Sequence, residues 1–209
     1  MSSTPLDRSP DLAGLRVAEL HLRHGTRPLP ARVYWPWPRG PSSPLLVFLA
    51  SRDDRAEADR VCRELCALAR IVVLSAGHAS EQLTLADARA ATEWAADHAA
   101  ELGADSGRLL LGGAGRPGGL ATAVAMHARD QGWPPIARQL LISPDLDGEI
   151  DLRAGLAGVA PATVVAGPDG NRLADRLRAD GVAVQELRYR PDDPHRTADL
   201  AEAARNTFA

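Results

Sequence analysis

The feature that most constrains the fold is an apolar run that passes directly into a glycine-rich turn and then into an alanine-rich helical pattern. The apolar run is Leu109–Leu111, the turn spans residues 112–119, and the helical pattern continues to about Arg129. A strand that leaves a tight turn as a helix is typical of α/β proteins, whose sites form at the carboxyl ends of strands. We therefore expect the functional site at this turn.

Strand and helix patterns alternate from residue 45 onward, which predicts a mostly parallel sheet with helices on both faces. The apolar runs Leu45–Ala50 and Ile71–Leu74 are typical of strands buried on both sides. Leu15–His24 and Leu29–Trp35 alternate instead, and with a turn over residues 25–28 they predict an antiparallel hairpin. The expected fold class is α/β, in three α/β/α layers around about eight strands.

Further elements follow from periodicity and from turn residues. A long amphipathic helix is expected from Thr84 or Asp87 to about Leu102, where Gly103 ends it. Other helices and strands are expected from Asp53 or Asp54 to about Leu68, and over residues 137–142, 162–166, 171–179, 182–189 and 197–206.

The first 13 residues are polar and contain proline, so we expect a flexible tail followed by one domain over residues 14–209. This segment has neither the basic start nor the apolar core of a signal peptide. No apolar run approaches the roughly 18 residues of a membrane span. These observations predict a cytoplasmic protein without membrane association.

Charge and cysteine content exclude several classes of site. A net charge of −3 and an aromatic content of 4% argue against nucleic-acid binding. The chain has 2 cysteines, Cys62 and Cys66, in a helical pattern without the further ligands that a zinc site needs. We expect both to be small buried side chains, and we expect neither a metal nor a cofactor.

Several segments together carry a resemblance to a known family. They are Leu29–Pro36, Leu85–Asp105, the glycine turn itself, Leu141–Pro144 and Leu177–Val182. In their order and spacing, residues 29 to 205 resemble the hormone-sensitive-lipase-like branch of the α/β-hydrolase fold. The resemblance implies that fold, and an ancestry among esterases that use a Ser-His-Asp triad.

At the nucleophile position this chain departs from the family pattern. The family's serine lies in a G-D-S-A-G-G motif, which corresponds to Gly113–Gly118 and puts Gly115 at the serine position. An acyl-enzyme needs an oxygen or sulfur nucleophile beside a base, and Gly115 has no side chain. The family's H-G-G-G oxyanion motif corresponds to Ala50, Ser51, Arg52 and Asp53.

The resemblance retains the other two triad positions. Asp169 corresponds to the orienting acid and His195 to the catalytic base. The lid of the family should lie between Pro144 and Pro161, where only residues 145–160 connect the two prolines. Because a lid excludes water, its loss implies an open site.

These departures affect the same chemistry, so the resemblance implies an esterase homologue that has lost serine hydrolysis and acts by binding a protein partner or a small ligand. Candidate ligand-binding residues are Ala50, Ser51, Arg52, Ala114 and Arg116.

Two enzymatic alternatives stay open. In one, His195 and Asp169 serve as a dyad for proton transfer or cyclisation in specialised metabolism. In the other, the protein is a weak carboxylesterase with a different serine as nucleophile; the candidates, each also explicable as a turn hydroxyl, are Ser51, Ser75, Ser80 and Ser143.

The turn also matches the dinucleotide pattern G-x-G-x-x-G through Gly113, Gly115 and Gly118. Pro117 lies inside this pattern, and no acidic residue ends a strand about twenty residues later, as ribose binding requires. A packed turn is therefore favoured, and a small anion held near Arg116 is the functional alternative.

Partner surfaces can also be proposed. Trp35, Trp37 and Trp133 are candidates for an exposed apolar patch on the uncapped face, whereas the helical spacing of Trp94 predicts a core residue. The resemblance implies a possible homodimer through Val182–Tyr189 and Thr197–Asn206.

Overall fold

The computed structural model describes residues 14–24, 27–38, 43–51, 55–77, 82–145, 155–167, 171–190, 193 and 195–208. Strands and helices alternate through this part of the chain. In order they are β1 (Leu15–His24), β2 (Arg27–Pro36), β3 (Ser43–Leu49), α1 (Arg55–Ala69), β4 (Val72–Ala76), α2 (Leu85–Asp97), β5 (Ala104–Ala114), α3 (Arg116–Gln131), β6 (Ile136–Ile142), β7 (Ala162–Ala166), α4 (Arg172–Ala179), β8 (Val184–Arg188) and α5 (Arg196–Asn206).

These strands form one 8-stranded sheet in the order β1-β2-β4-β3-β5-β6-β7-β8. The hairpin of β1 and β2 is antiparallel, as is the pairing of β2 with β4. The remaining neighbours, from β4 through β8, are parallel. The predicted fold class, a mostly parallel sheet preceded by an antiparallel hairpin, is confirmed.

Helices cover both faces of the sheet. Buried residues of α2, α3 and α4 pack on one face, and those of α1 and α5 pack on the other. Strand β3 is buried along its whole length: Leu45 and Val47 face the first layer, whereas Leu46 and Phe48 face the second. Burial on both faces explains why this strand reads as a continuous apolar run.

Helix α2 ends earlier than its apolar pattern predicts. Thr84 and Asp87 form a capping box at its start, as the predicted start allows, but the helix stops at Asp97 instead of about Leu102. Leu102 is nevertheless buried, and its carbonyl accepts a hydrogen bond of 2.8 Å from Trp35 Nε1. The apolar pattern past residue 97 thus reflects tertiary packing of a turn.

Several strand boundaries also differ from the prediction, among them the starts of β5 and β2. Strand β5 begins at Ala104, upstream of the apolar run at residue 109, because Ala104 and Asp105 pair with Ser43 and Pro44 of β3. This pairing with a distant strand is something that local periodicity does not report. Strand β2 begins at Arg27, inside the predicted turn of residues 25–28, because Arg27 pairs with His24 of the same hairpin.

Some predictions fall on other parts of the chain. The predicted tail, residues 1–13, lies outside the described residues, and the division into a tail and one domain stays a prediction. Residues 146–154, within the segment where the family has its lid, also lie outside the described residues. Within the described ranges, no helix combines the length and the apolar character needed to cross a membrane.

Candidate functional site

The turn between β5 and α3 has a backbone geometry that favours glycine. Gly115 has φ 58° and ψ −131°, a conformation that residues with a side chain rarely adopt. Its N–H donates a hydrogen bond of 2.9 Å to the carbonyl of Ile142, and its carbonyl accepts one of 3.0 Å from the N–H of Asp145. The turn is therefore fixed to the carboxyl end of β6.

Close packing accounts for the glycines on either side of the turn. A Cβ on Gly113 would lie 2.8 Å from the carbonyl carbon of Pro117, and one on Gly118 would lie 2.9 Å from the carbonyl oxygen of Gly113. Because a strand and a helix meet here without space for side chains, the G-x-G-x-x-G spacing has a structural explanation. A Cβ on Gly115, in contrast, would meet no atom within 4 Å.

A pocket opens above this turn and brings together several residues that the sequence places far apart. It encloses about 690 Å³, counting its solvent-open mouth. Five of its lining residues are candidates from sequence: Ala50 and Ser51 after β3, Ala114 and Gly115 at the end of β5, and Ser143 after β6. The other lining residues are Phe48, Leu49, Glu57, Ala58, Val61, Ile142 and Arg196.

His195 lies next to this pocket along the chain. It is exposed and occupies the N-cap position of α5 without a capping hydrogen bond from its side chain, and its backbone N–H donates a hydrogen bond of 2.9 Å to Asp193 Oδ1. The following residue, Arg196, lines the pocket. Asp169, the predicted partner of His195, lies outside the described residues, so the dyad stays a prediction.

The remaining sequence candidates are distributed around the pocket. The Nη1 atom of Arg116 donates a hydrogen bond of 2.8 Å to the carbonyl of Leu83. This bond does not support the predicted contact between Arg116 and a ligand, which stays a prediction. Ser143 lines the pocket with φ 42°, whereas Ser75 does not line it. Arg52 and Ser80 lie outside the described residues.

An ion pair at the pocket was missed by the sequence analysis. Arg196 Nη2 donates to Glu57 Oε1 and so connects the first turns of α5 and α1. Hydrogen bonds from Arg60, and further attraction from Arg196, hold the pKa of Glu57 below its ordinary value despite partial burial. Because the two partners are 139 positions apart, only the packing of α1 on α5 brings them together.

A second, polar pocket, of about 390 Å³ when its solvent-open mouth is counted, adjoins the first and shares Ala50, Ser51 and Ala58 with it. The carboxylate of Asp59 is the common acceptor of three side-chain hydrogen bonds at this pocket. It accepts hydrogen bonds of 2.7 Å from the Tyr34 hydroxyl, 2.5 Å from Arg32 Nη1 and 2.6 Å from Arg63 Nε. Partial burial raises the pKa of Asp59, but these three donors outweigh burial and lower it.

Both cysteines are buried on the inner side of α1, as predicted. Neither forms a disulfide. Burial raises the pKa of the Cys62 thiol far above its ordinary value and that of Cys66 to about 12. Across the described ranges, no group of three or more histidine, cysteine or acidic side chains could hold a metal ion.

The tryptophans do not form the predicted patch. Trp35 is only partly exposed, because it packs on the core and donates to Leu102. Trp37 and Trp133 are exposed, but Trp37 follows the antiparallel strand β2 and Trp133 precedes β6. Both therefore lie at the amino-terminal edge of the parallel strands, opposite the pocket. Trp94 packs against the core, as predicted.

Comparison with known proteins agrees with this geometry. A family model described as alpha/beta hydrolase fold matches residues 49–155, which include the strand-to-helix turn and half of the chain. The chain belongs to this family.

Its relatives include named esterases. Esterase LipI of Mycobacterium tuberculosis is 34% identical over 66% of this chain and 47% of the relative. Carboxylic ester hydrolase LipN of the same organism is 32% identical over 83% of this chain and 62% of the relative. The chain thus spans about half of the length of the relatives that it matches.

Solved structures of several esterases share the same fold. Esterase LipW from Mycobacterium marinum has a TM-score of 0.78 at 23% identity, over 94% of this chain and 83% of that one. A bacterial heroin esterase has a TM-score of 0.80 at 19% identity, over 97% and 87%. At these identities the likeness concerns the fold alone.

Proposed function

We propose that this chain is a cytoplasmic member of the alpha/beta hydrolase fold family that has lost serine-esterase activity and acts by binding, to a small ligand in the pocket above Gly115 or to a protein partner. The observation that supports the proposal is Gly115 itself. It occupies the strand-to-helix turn, lines the pocket, and offers no nucleophilic atom.

Other nucleophiles in the described residues are poorly placed to replace it. Cys62 is fully buried, and its raised pKa keeps it a neutral thiol at physiological pH. Ser51 and Ser143 line the pocket, but neither lies at the turn that aims a nucleophile in this fold.

A second candidate is ester hydrolysis, with or without a dyad of His195 and Asp169. The relatives named as esterases favour it, and so does the sequence position of His195, which directly precedes the pocket residue Arg196. In this case His195 would activate water or another group as a general base.

Hydrolysis of p-nitrophenyl acetate and butyrate separates the two candidates. The parent, Gly115→Ser, His195→Ala and the control His21→Ala are compared; His21 is exposed on β1. We expect no hydrolysis above background by the parent, and no difference among the three other variants. Activity in the parent and His21→Ala that His195→Ala abolishes would instead establish the esterase candidate.

We further propose a homodimer through β8 and α5. Among the described residues, strand β8 is last in the sheet order and pairs with β7 alone, so its outer edge can accept a strand from a second copy. Light scattering at micromolar concentration tests this, since a strictly monomeric mass would contradict it.

A further inference from the structure

The pocket above Gly115 combines apolar walls with one ion pair. Its walls include the side chains of Phe48, Val61 and Ile142. Glu57 and Arg196 line the same space, and the Arg196 side chain is 21% exposed. Among the described residues that line this pocket, Arg196 carries the single positive charge. An apolar cavity with one guanidinium suits a ligand that has an apolar body and one anionic group.

The bond between Arg196 and Glu57 is one that an incoming carboxylate can replace. Arg60 already binds both oxygens of Glu57, with Nε 2.9 Å from Oε2 and Nη2 2.7 Å from Oε1. Arg196 shares Oε1 with Arg60. If Arg196 turned to a ligand, Glu57 would keep a bidentate partner and neither of its oxygens would lose its hydrogen bond.

The position of Arg196 on its helix adds to the attraction for anions. It is the first residue of α5, and a helix N-terminus carries partial positive charge. A cation there is unfavourable for the helix, whereas a bound anion offsets both charges. Glu57, in contrast, places a negative charge in the first turn of α1, where the partial positive charge of the helix N-terminus stabilises it.

The floor of the pocket leaves space for the body of such a ligand. A Cβ on Gly115 would meet no atom within 4 Å, so the volume that a side chain would fill is open. We propose that the pocket binds a small organic carboxylate, whose charge pairs with Arg196 and whose apolar body lies over Gly115 against Phe48 and Ile142. This inference rests on the proposed function, because it needs a pocket that binds without a nucleophile at the turn.

Two ligands of the same shape test the role of the charge. Hexanoate and hexanamide differ in the anionic group, and calorimetry on the full chain at pH 7 measures both affinities. We expect hexanoate to bind at least about tenfold more tightly, since hydrogen bonds to charged groups contribute that much. Arg196→Gln should weaken hexanoate binding about ten- to a hundredfold and leave hexanamide unchanged.

Two more variants serve as controls. Arg205→Gln removes the same charge from the last turn of α5, where the side chain is exposed, and should leave both affinities unchanged. Arg196→Lys keeps the charge and should retain part of the preference for hexanoate. Circular dichroism checks that each variant is folded. If Arg196→Gln does not fold, the preference for hexanoate over hexanamide in the parent and in Arg196→Lys still tests the inference.

Equal affinities for hexanoate and hexanamide in the parent would overturn the inference, as would unchanged hexanoate binding in a folded Arg196→Gln. Failure of the proposed function has a different readout, namely ester hydrolysis by the parent that His195→Ala abolishes. A parent without hydrolysis and without hexanoate preference would overturn this inference alone.

Discussion

Gly113 and Gly118 face each other across the strand-to-helix turn without space for a side chain on either. A Cβ on Gly118 would lie 2.9 Å from the carbonyl oxygen of Gly113. Because this oxygen belongs to the backbone, it cannot move away without distorting the strand. We therefore expect Gly118→Ala to lower the free energy of unfolding by about 1–3 kcal/mol, the usual cost of overpacking. Urea denaturation measures the loss.

Gly107→Ala is the matched control for this substitution. Its Cβ would meet only the flexible carboxylate of Asp105, at 3.3 Å, on an exposed stretch of β5. It should change stability much less than Gly118→Ala. Equal effects of the two substitutions would contradict the packing explanation.

Gly115 presents the opposite case, because it has space for a side chain but a backbone conformation that disfavours one. We expect Gly115→Ala to cost about 1–3 kcal/mol, because its φ of 58° with ψ of −131° lies in a region that residues with a side chain rarely adopt. Gly132→Ala, at φ 71° and ψ 12° and also facing open space, should cost about 1–2 kcal/mol, since it lies in the left-handed helical region. A loss well above about 3 kcal/mol at Gly115 would show that the pocket floor is not open.

Asp59 should make stability depend on pH at acid values. Hydrogen bonds from Arg63, Tyr34 and Arg32 outweigh partial burial and lower its pKa in the folded state. The stabilisation from the carboxylate is therefore fully present above the unfolded-state pKa of about 4 and is lost as pH falls through the lower folded-state pKa. Asp59→Asn should cost about 1–3 kcal/mol at pH 7, and less as the pH falls below about 4.

The control for Asp59 is Asp175→Asn. Asp175 is 76% exposed and pairs with Arg178 at 3.3 Å, so its removal should change stability by less than about 1 kcal/mol. Parallel unfolding curves from pH 7 down to pH 2 provide the comparison. A constant difference between parent and Asp59→Asn over this range would contradict the assignment.

The cysteines should report on opening of α1. Cys62 and Cys66 are both fully buried, and burial raises both thiol pKa values, that of Cys66 to about 12. We expect no reaction with Ellman's reagent in the native protein, and reaction of both thiols in urea. A cysteine introduced at the exposed Ala157 should react at once under native conditions. Rapid native labelling of the parent would show that α1 is not packed as described.

Strands buried on both faces were predictable, because a continuous apolar run indicates such a strand by itself. The bounds of β7 agree with its apolar run, those of β1 agree with its alternating pattern, and Thr84 was one of the two predicted starts of α2. Prediction from the sequence failed where contact with a distant segment determines the local structure. The polar start of β5 is a strand only because β3 lies beside it, and Leu102 is buried outside any helix because Trp35 covers it.

The candidate site divides in the same way. Ala50, Ser51, Ala114 and Gly115 could be predicted because each ends or follows a parallel strand, and such strands end at one edge of the sheet. Glu57 and Arg196 could not, because nothing in the pattern near either residue reports that α1 packs on α5. The proximity of Arg196 to His195 in sequence was the one available signal.

The contacts that hold the turn use no side chain at position 115. Gly113 and Gly118 set its shape through backbone packing, and the hydrogen bonds at Gly115 use main-chain atoms only. A glycine codon of the GGT or GGC type becomes a serine codon through one nucleotide change. A gene with such a codon at position 115 can therefore place a hydroxyl at the centre of the pocket in a single step, and the backbone contacts that hold the turn would remain.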